Sequence, residues 1–549
     1  MASSIPQPPN VVYRIENEVY ERITRLFVNN ELIEKIDRIP YEMRPLNHDS
    51  ESTLCCIYKD RAIIRYRVIA ALGFRIEDET DDFRSLASYA EEALKRTPKD
   101  LQKPVLTVLE AACHECAKPE YYVTDACQRC TARYCAQACA KKAISHIDRK
   151  AYIDPAKCVR CGKCHSACPY NAIIFRPIPC IKACPVRAIT RDSTTGRNVF
   201  DWDKCIQCAS CIRNCPFGAI MPRSQILDVL KAIKDKDQKV VAMLAPAVVG
   251  HFGMKVEIPA IMDALKKCGF DEVLEVSLGG DETAIREAEE FKERMEEAAK
   301  DPTRRQFMTT SCCPAYVACI RKHVPEIEDA ISNTGTPMHY TSLMAKKRWP
   351  GCTTVFVGPC NAKLSETIDD PDVDLCINFY ESYSIICGNG ITIDEKIKTF
   401  PPEAEQEPEN FKPHVEGRGF PVIGGVAAAV ASFLGDPAKQ EHPVKPVVID
   451  GLNPDSVKKL KSFAKVNPPG NIVEVMACRG GCIAGPGAPV SVQMATARVK
   501  MVTKKSKIHP EGTAKVPFAP VIITGDHVYN PSDPTSIVSP VHPPHYNAL

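Results

Sequence analysis

The stretch EVMACRGGCIAGPG, residues 474–487, follows a short β-branched run, NIVEV at 471–475, that predicts a strand. Its two cysteines, Cys478 and Cys482, are spaced i, i+4, which on a helix would put both thiolates on one face. Two other stretches repeat the context. TTSCCPAYV at 309–317 follows QFM, and FVGPCNAKLSE at 356–366 continues the strand-like TVFV at 354–357. In an α/β sheet, ligands gather in the crevice beyond the carboxyl ends of the strands. Stretches that start 165 residues apart can therefore meet at one site. The run VVAMLAPAVVG at 240–250 would add Pro246 and Ala247 to the same crevice. From 223 to 515, strand-like runs alternate with helical patterns, the mark of an α/β fold.

Upstream, residues 111–222 carry 16 of the chain's 28 cysteines. Two segments fit CxxCxxCxxxCP: Cys158, Cys161, Cys164, Cys168 with Pro169, and Cys205, Cys208, Cys211, Cys215 with Pro216. In bacterial ferredoxins three close thiolates of such a run hold one 4Fe–4S cubane and the fourth crosses to its neighbour. The expected sets are Cys158/Cys161/Cys164/Cys215 and Cys205/Cys208/Cys211/Cys168. Zinc competes for isolated CxxC pairs, but two complete repeats with the trailing proline favour iron–sulfur. The pattern CxxxCxxxAI occurs four times, starting at Cys135, Cys164, Cys180 and Cys211. Cys113, Cys116, Cys127, Cys130, Cys135, Cys139, Cys180 and Cys184 suffice for two more cubanes. Their cross-over could run between neighbouring repeats or nest outer with inner. His114 reads as a bystander.

The chain has 549 residues with a formal net charge of +2, enough for two to four domains and without a global field for nucleic acid or an anionic membrane. No apolar run approaches the length of a membrane-spanning helix. MASSIPQPPN lacks the basic start and apolar core of a secretory signal, so a cytoplasmic location is expected and a disulfide framework is not. The predicted organisation is a small helical region at 1–110, a 4Fe–4S polycluster domain at 111–222, a catalytic domain at 223–515 and a proline-rich tail at 516–549, which would wrap the surface or be disordered. The run GFPVIGGVAAAV at 419–430 lacks nucleotide-loop spacing, so Gly424 and Gly425 are read as permitting close backbone approach to a cofactor. Cys55, Cys56, Cys268, Cys319, Cys352, Cys376 and Cys387 receive no role.

Taken together, the three cysteine stretches resemble the signature motifs of the FeFe hydrogenases, and the resemblance spans roughly 111–500 with the ferredoxin part included. It leans toward the branch called group B: Tyr316 stands where better-known members have Trp, Gly358 where they have Met, and GPG where they have a longer glycine run. The resemblance implies a two-lobed α/β catalytic domain with parallel sheets flanked by helices, preceded by an α+β ferredoxin-like polycluster domain. It implies anaerobic hydrogen metabolism, 2H⁺ + 2e⁻ ⇌ H₂, at an H-cluster: a 4Fe–4S cubane joined to a diiron unit with CO, cyanide and a bridging azadithiolate. Cys313, Cys360, Cys478 and Cys482 would hold the cubane, with Cys482 bridging. Cys312 would relay protons, as a thiol with an ordinary pKa of about 8.5 can. Lys363 would hold a cyanide ligand, Met476 would pack on the diiron unit or serve the core, and Pro246 and Pro337 would help build a dry pocket.

Beyond Cys312 the resemblance suggests Glu287, Ser332 and Glu290 as proton carriers, although EAEEFKERMEEAAK also reads as a solvated charged helix. Implied partners are H₂ and protons, a ferredoxin-like electron carrier and cofactor-maturation enzymes. Two rivals are a hydrogen-sensing relative and a non-catalytic iron–sulfur assembly relative. The first usually carries a signalling domain, which is not seen, and the second lacks the doubled cysteine and lysine motif present here.

Overall fold

The computed structural model describes residues 10–46, 56–113, 116, 120–147, 150–192, 194, 197–400, 412–505, 520–524 and 527–529. Cys55, His114 and the tail beyond 529 lie outside them.

Helix α1 (Val11–Val28) starts where the Asn10 side chain accepts the Tyr13 N–H at 3.1 Å. It buries Val19, Tyr20, Ile23 and Phe27, the spacing of one apolar face. Helices α2 (Ile57–Ala71) and α3 (Leu86–Lys95) complete the region. Its apolar core continues into the α/β region rather than closing on itself. Arg67 and Glu16 form a buried ion pair at 2.7 Å, and Tyr13 stacks on Tyr380 at 4.8 Å.

The cysteine-rich region is built twice on one plan. Antiparallel strands β1 (Leu106–Val108) and β8 (Ile220–Pro222) close one module, with hairpin β6 (Ile189–Arg191)–β7 (Asn198–Phe200) inside it. Strands β2 (Glu120–Val123) and β5 (Ile173–Arg176) close the other around hairpin β3 (Ile144–Ile147)–β4 (Lys150–Ile153). The CxxxCxxxAI repeat has a backbone reason. In each copy the residue before the Ala takes a left-handed conformation: Lys142, Asn171, Arg187 and Gly218, with φ of 47, 50, 54 and 56°. That turn aims the next N–H, of Ala143, Ala172, Ala188 or Ala219, at the preceding cysteine sulfur at 3.2–3.4 Å.

The region that follows has two parallel sheets. The first runs β10 (Glu272–Glu275), β9 (Val240–Leu244), β12 (Thr353–Gly358), β13 (Leu375–Asn378). The second runs β11 (Met308–Thr309), β15 (Ile472–Met476), β14 (Pro446–Asp450), β16 (Val521–Thr524), with β17 (His527–Tyr529) antiparallel at its edge. Strands β16 and β17 fall in the expected tail. The run VIIT pairs with Val447–Ile449, so the sheet reaches past 515. Helix α4 (Ser277–Lys300) bridges the lobes, packing on α6 (Pro337–Arg348) from the first and α9 (Gly425–Leu434) from the second. Helices α5 (Pro314–His323), α7 (Asn361–Asp369) and α8 (Phe379–Gly388) are among the others of this region.

Removing one partner of a buried ion pair strands the other charge, at about 3–5 kcal/mol. R67M should therefore lower the urea-unfolding midpoint of the N-terminal and catalytic core, and the double variant E16L/R67M should recover most of the loss. An R67M midpoint equal to wild type would show that the pair does not anchor the N-terminal helices.

Candidate metal centre between the lobes

Every parallel strand that carries a cysteine stretch delivers it at its carboxyl end. Met308–Thr309 leads to Cys312 and Cys313, Gly358 to Cys360 and Met476 to Cys478. One mostly apolar cavity is lined by Cys312, Cys313, Cys360, Cys478 and Cys482, with Pro246, Ala247, Pro337, Lys363 and Met476 in the same wall. Cys478 and Cys482 do not share a helical face as their spacing suggested. After β15 the chain passes through a loop with left-handed glycines, Gly480 (φ 92°) and Gly481 (φ 97°). A Cβ on Gly481 would lie 2.4 Å from the Pro421 carbonyl, so the loop needs glycine there both for its φ and for its space.

The loop is held from both sides. Ile423 N–H donates to the Gly480 carbonyl at 3.1 Å, and Ile483 N–H to the Pro421 carbonyl at 3.1 Å. Glu474, wholly buried on β15, accepts the Gly424 and Ala427 N–H groups at 2.7 and 2.9 Å, so its carboxylate caps α9. Burial pushes its pKa up to about 7 despite those donors. A Cβ on Gly425 would lie 2.2 Å from the Gly419 carbonyl, so the close approach here is to the chain's own backbone. Glu474 itself escaped notice in the sequence, although it opens the third cysteine stretch.

The residues that depart from the better-known pattern fit one another. A Cβ at Gly358 would lie 2.4 Å from the Phe356 ring, which lines the cavity and fills that space. Tyr316 is fully buried and donates its hydroxyl to Thr309 Oγ1 at 2.8 Å. Lys363 lines the cavity with its ammonium 2.7 Å from Glu366. Burial alone would lower its pKa, but Glu366, Cys360 and Cys312 more than offset this and keep it charged.

The donor set suits iron–sulfur ligation. Burial raises Cys360 to about 12 and lifts Cys313, Cys478 and Cys482 as well. A metal takes such groups as thiolates and releases their protons on binding. Four such sulfurs fit a cubane, and the fifth, Cys312, is left over.

Glu287 is fully buried beside Cys312, not on a solvated face; Ala284, Ala288 and Phe291 share its side of α4. Its Oε1 accepts from Ser311 N and Oγ at 2.9 and 3.2 Å, and its Oε2 has no partner among the described residues. Burial pushes its pKa up to about 8, outweighing the Ser311 donors. Ser311 Oγ also lies 2.7 Å from the Thr334 carbonyl, and its single proton is donated either there or to Glu287. Ser332 Oγ donates to Glu290 Oε2 at 2.5 Å, and Glu290 is also paired with Arg294 at 2.7 Å. Burial would raise Glu290, but these donors bring it below the ordinary range. Ser311, Ser332 and Thr334 line a solvent-open cavity of about 820 Å³. Ser311 is the link that the sequence reading missed, although it sits beside Cys312.

The sixteen upstream cysteines form four groups. Cys113, Cys116 and Cys180 line one small cavity with Cys215. Cys205, Cys208 and Cys211 gather with Cys184. Cys127, Cys130 and Cys135 stand with Cys168, and Cys158, Cys161 and Cys164 with Cys139. The expected exchange of Cys215 and Cys168 between the two complete runs is corrected. Those runs lie in different strand-closed modules, so each fourth cysteine crosses to the other copy within its own module. Cys180 neighbours Cys211, and Cys208 lines the central cavity beside Cys313. The second module therefore abuts the central site. Arg213, also from that module, donates to the Ala484 carbonyl in the third motif.

These features define a redox protein in which ferredoxin-type modules feed a thiol-walled cavity between two α/β lobes. Residues 238–486 match the family "Iron only hydrogenase large subunit, C-terminal domain", and residues 151–174 and 198–221 match the 4Fe–4S binding domain. The chain is 28% identical over 384 residues to iron hydrogenase 1 of Clostridium pasteurianum, covering 61% of this chain and 64% of that one. It is 27% identical over 395 residues to the periplasmic [Fe] hydrogenase large subunit of Nitratidesulfovibrio vulgaris, covering 62% and 86%. It spans about half, 52%, of the NADP-reducing hydrogenase subunit HndD of Solidesulfovibrio fructosivorans. A solved [FeFe]-hydrogenase structure, from work on oxygen inactivation through degradation of the H cluster, superposes with a TM-score of 0.43 at 19% identity, over 52% of this chain and 91% of that one. The match to the iron-only hydrogenase model takes in somewhat less than half of the chain, and the 4Fe–4S matches lie ahead of it. No described helix is long and apolar enough to cross a membrane.

Iron content, cluster spectra and pH-dependent unfolding check this arrangement. Five cubanes predict about 20 iron atoms per chain before any diiron unit is added. C215A should perturb the Mössbauer and EPR signals of the Cys113/Cys116/Cys180 cluster while the Cys158/Cys161/Cys164 cluster keeps its own; the reverse outcome would restore the exchanged sets. For Glu287, the folded chain holds a proton between roughly pH 4.5 and 8 that the unfolded chain has released. Its burial therefore destabilises the fold increasingly as pH rises through that window. E287Q should show a smaller fall in Tm from pH 5 to 8 than wild type, and parallel curves would rule the titration out.

Proposed function

We propose that this chain is a catalytic FeFe hydrogenase of the group B-like branch, interconverting 2H⁺ + 2e⁻ and H₂ at an H-cluster. The observation that carries the reading is the single cavity shared by Cys312, Cys313, Cys360, Cys478, Cys482 and Lys363. Cys313, Cys360, Cys478 and Cys482 would hold the cubane, with Cys482 shared by a diiron unit bearing CO, cyanide and an azadithiolate. When bound, that group supplies the centre at which protons are reduced and H₂ is split.

The chain's own residues keep water out and move protons. Pro246, Ala247, Pro337 and Met476 line the cavity with apolar surface, so the polar groups that remain act in a low-dielectric space. Lys363 stays protonated and presents a fixed cation to an anionic ligand, while Glu366 holds its ammonium in place. Cys312, unneeded as a ligand, passes the proton between cavity and protein. Glu287 sits next to it with a pKa near 8, suited to exchange around neutral pH. Ser311, Ser332 and Glu290, with Arg294, continue the route to the open cavity. Electrons enter through the ferredoxin-type clusters, the Cys184/Cys205/Cys208/Cys211 group standing last before the site.

A ferredoxin-like carrier, maturation enzymes and a cytoplasmic location complete the reading. A non-catalytic assembly role is the second possibility, but Cys312 and a charged, cavity-facing Lys363 would serve no purpose there. Anaerobically matured protein should show infrared bands of CO and cyanide. C312A should keep those bands and lose at least about 100-fold in H₂ turnover, the scale of removing a positioned acid–base group. Absent bands would leave the assembly reading, and wild-type turnover in C312A would remove the relay role.

A further inference from the structure

The N-terminal helices bring a buried acid to the back of one cysteine group. Glu16 on α1 pairs with Arg67 on α2 at 2.7 Å, and Arg67 Nη2 lies 3.4 Å from the Phe217 carbonyl. Phe217 and Gly218 belong to the turn that aims the Ala219 N–H at the Cys215 sulfur. A Cβ on Gly218 would lie 2.7 Å from Arg67 Nη2, so the guanidinium packs directly on that turn. Only this turn separates the ion pair from a cluster held by Cys113, Cys116, Cys180 and Cys215.

The surroundings suit a carboxyl that changes its protonation. Tyr13 and Tyr20 stand three and four residues from Glu16, on the same face of α1. Tyr380 on α8 stacks on Tyr13, and burial keeps all three phenols protonated. The Tyr20 and Tyr380 hydroxyls and Arg67 Nε are buried with no hydrogen-bond partner among the described residues. A hydroxyl can donate to a carboxylate or accept from a carboxylic acid, so it serves either state. Burial pushes Glu16 up to about 7 against the pull of Arg67. Its side chain keeps 8% exposure, an opening for exchange with water. Two other charged groups face this cluster of side chains. Arg213 is held by the Ala484 carbonyl, and Glu381, also raised by burial to about 7, accepts the Asn378 N–H at 2.5 Å as a helix cap.

We propose that Glu16 is a redox-linked proton site, protonated when the cluster at Cys113, Cys116, Cys180 and Cys215 is reduced and released when it is reoxidised. The cluster gains one electron from a one-electron donor, the Glu16 carboxylate gains one proton from solvent, and no other bond forms or breaks. A protonated Glu16 no longer neutralises Arg67, whose charge then faces the reduced cluster. The N-terminal helices thereby tie a proton to an electron in transit. Iron–sulfur loading of the cysteines is all that this coupling requires; the diiron unit plays no part.

An EPR-monitored potentiometric titration of the cluster-loaded full chain tests it, following the signal that C215A perturbs. At a fixed potential the reduced-to-oxidised ratio should fall about tenfold between roughly pH 5.5 and 8.5, or about 59 mV in midpoint. E16Q should remove most of this dependence with iron content unchanged, and E381Q should keep it. Infrared difference spectra of the wild type at neutral pH should show a protonated carboxyl band appearing on reduction. A wild-type ratio that ignores pH overturns the proposal, as does an iron-replete E16Q with the full tenfold change. Loss of the dependence in iron-replete E381Q alone also overturns it. So does a pH-dependent wild type that gains no carboxyl band on reduction, even if E16Q fails to fold.

Discussion

Buried sulfur governs this molecule. A thiol taken out of water holds its proton tightly, as the raised pKa values of Cys360, Cys478 and Cys482 show, and several such thiols in one dry cavity have few partners other than metal. Bringing them together requires a scaffold that does not depend on the sulfurs. Two parallel sheets provide it, because the loops that leave the carboxyl ends of β11 and β15 in one and of β12 in the other line a single cavity. The glycines of the third motif and the buried carboxylate of Glu474 then fix the loop that carries Cys482. Sheet first, loops second and metal last is the order of dependence.

The same logic repeats at smaller scale upstream. Each CxxxCxxxAI copy turns through one left-handed residue so that an alanine N–H meets a cysteine sulfur. Such a contact favours the thiolate and tunes a bound cluster. Two strand-closed modules, one nested within the other in sequence, carry four groups of cysteines, and the module closed by β1 and β8 reaches the central cavity through Cys208. The module closed by β2 and β5 is inserted between the two halves of the other in sequence, and in it Cys161 meets solvent.

Much of this was legible from residues alone. The three cysteine stretches, the strands before them and the four repeats are short-range patterns, and each is present in the structure. What sequence spacing could not reveal depended on strand pairing. Cys215 and Cys168 were expected to trade places because their runs look alike, yet β1–β8 and β2–β5 close them into separate modules. The i, i+4 spacing of Cys478 and Cys482 suggested a helix, and the left-handed glycines between them prevent one. Glu287 lay in a run indistinguishable from a solvated helix, since only the packing of α4 between the lobes decides which carboxylates are buried. Ser311 and Glu474 sit inside the cysteine motifs themselves, but their value lies in what they touch.

The central claim is that Cys313, Cys360, Cys478 and Cys482 hold iron in a cavity continuous with the cluster chain. Anomalous X-ray scattering at the iron edge, from crystals of the anaerobically reconstituted chain, tests it directly. The account predicts four-iron density among those cysteines and at the four upstream groups, with Cys215 and Cys168 each bonded inside its own module. Iron at the upstream groups with none between the lobes would contradict it.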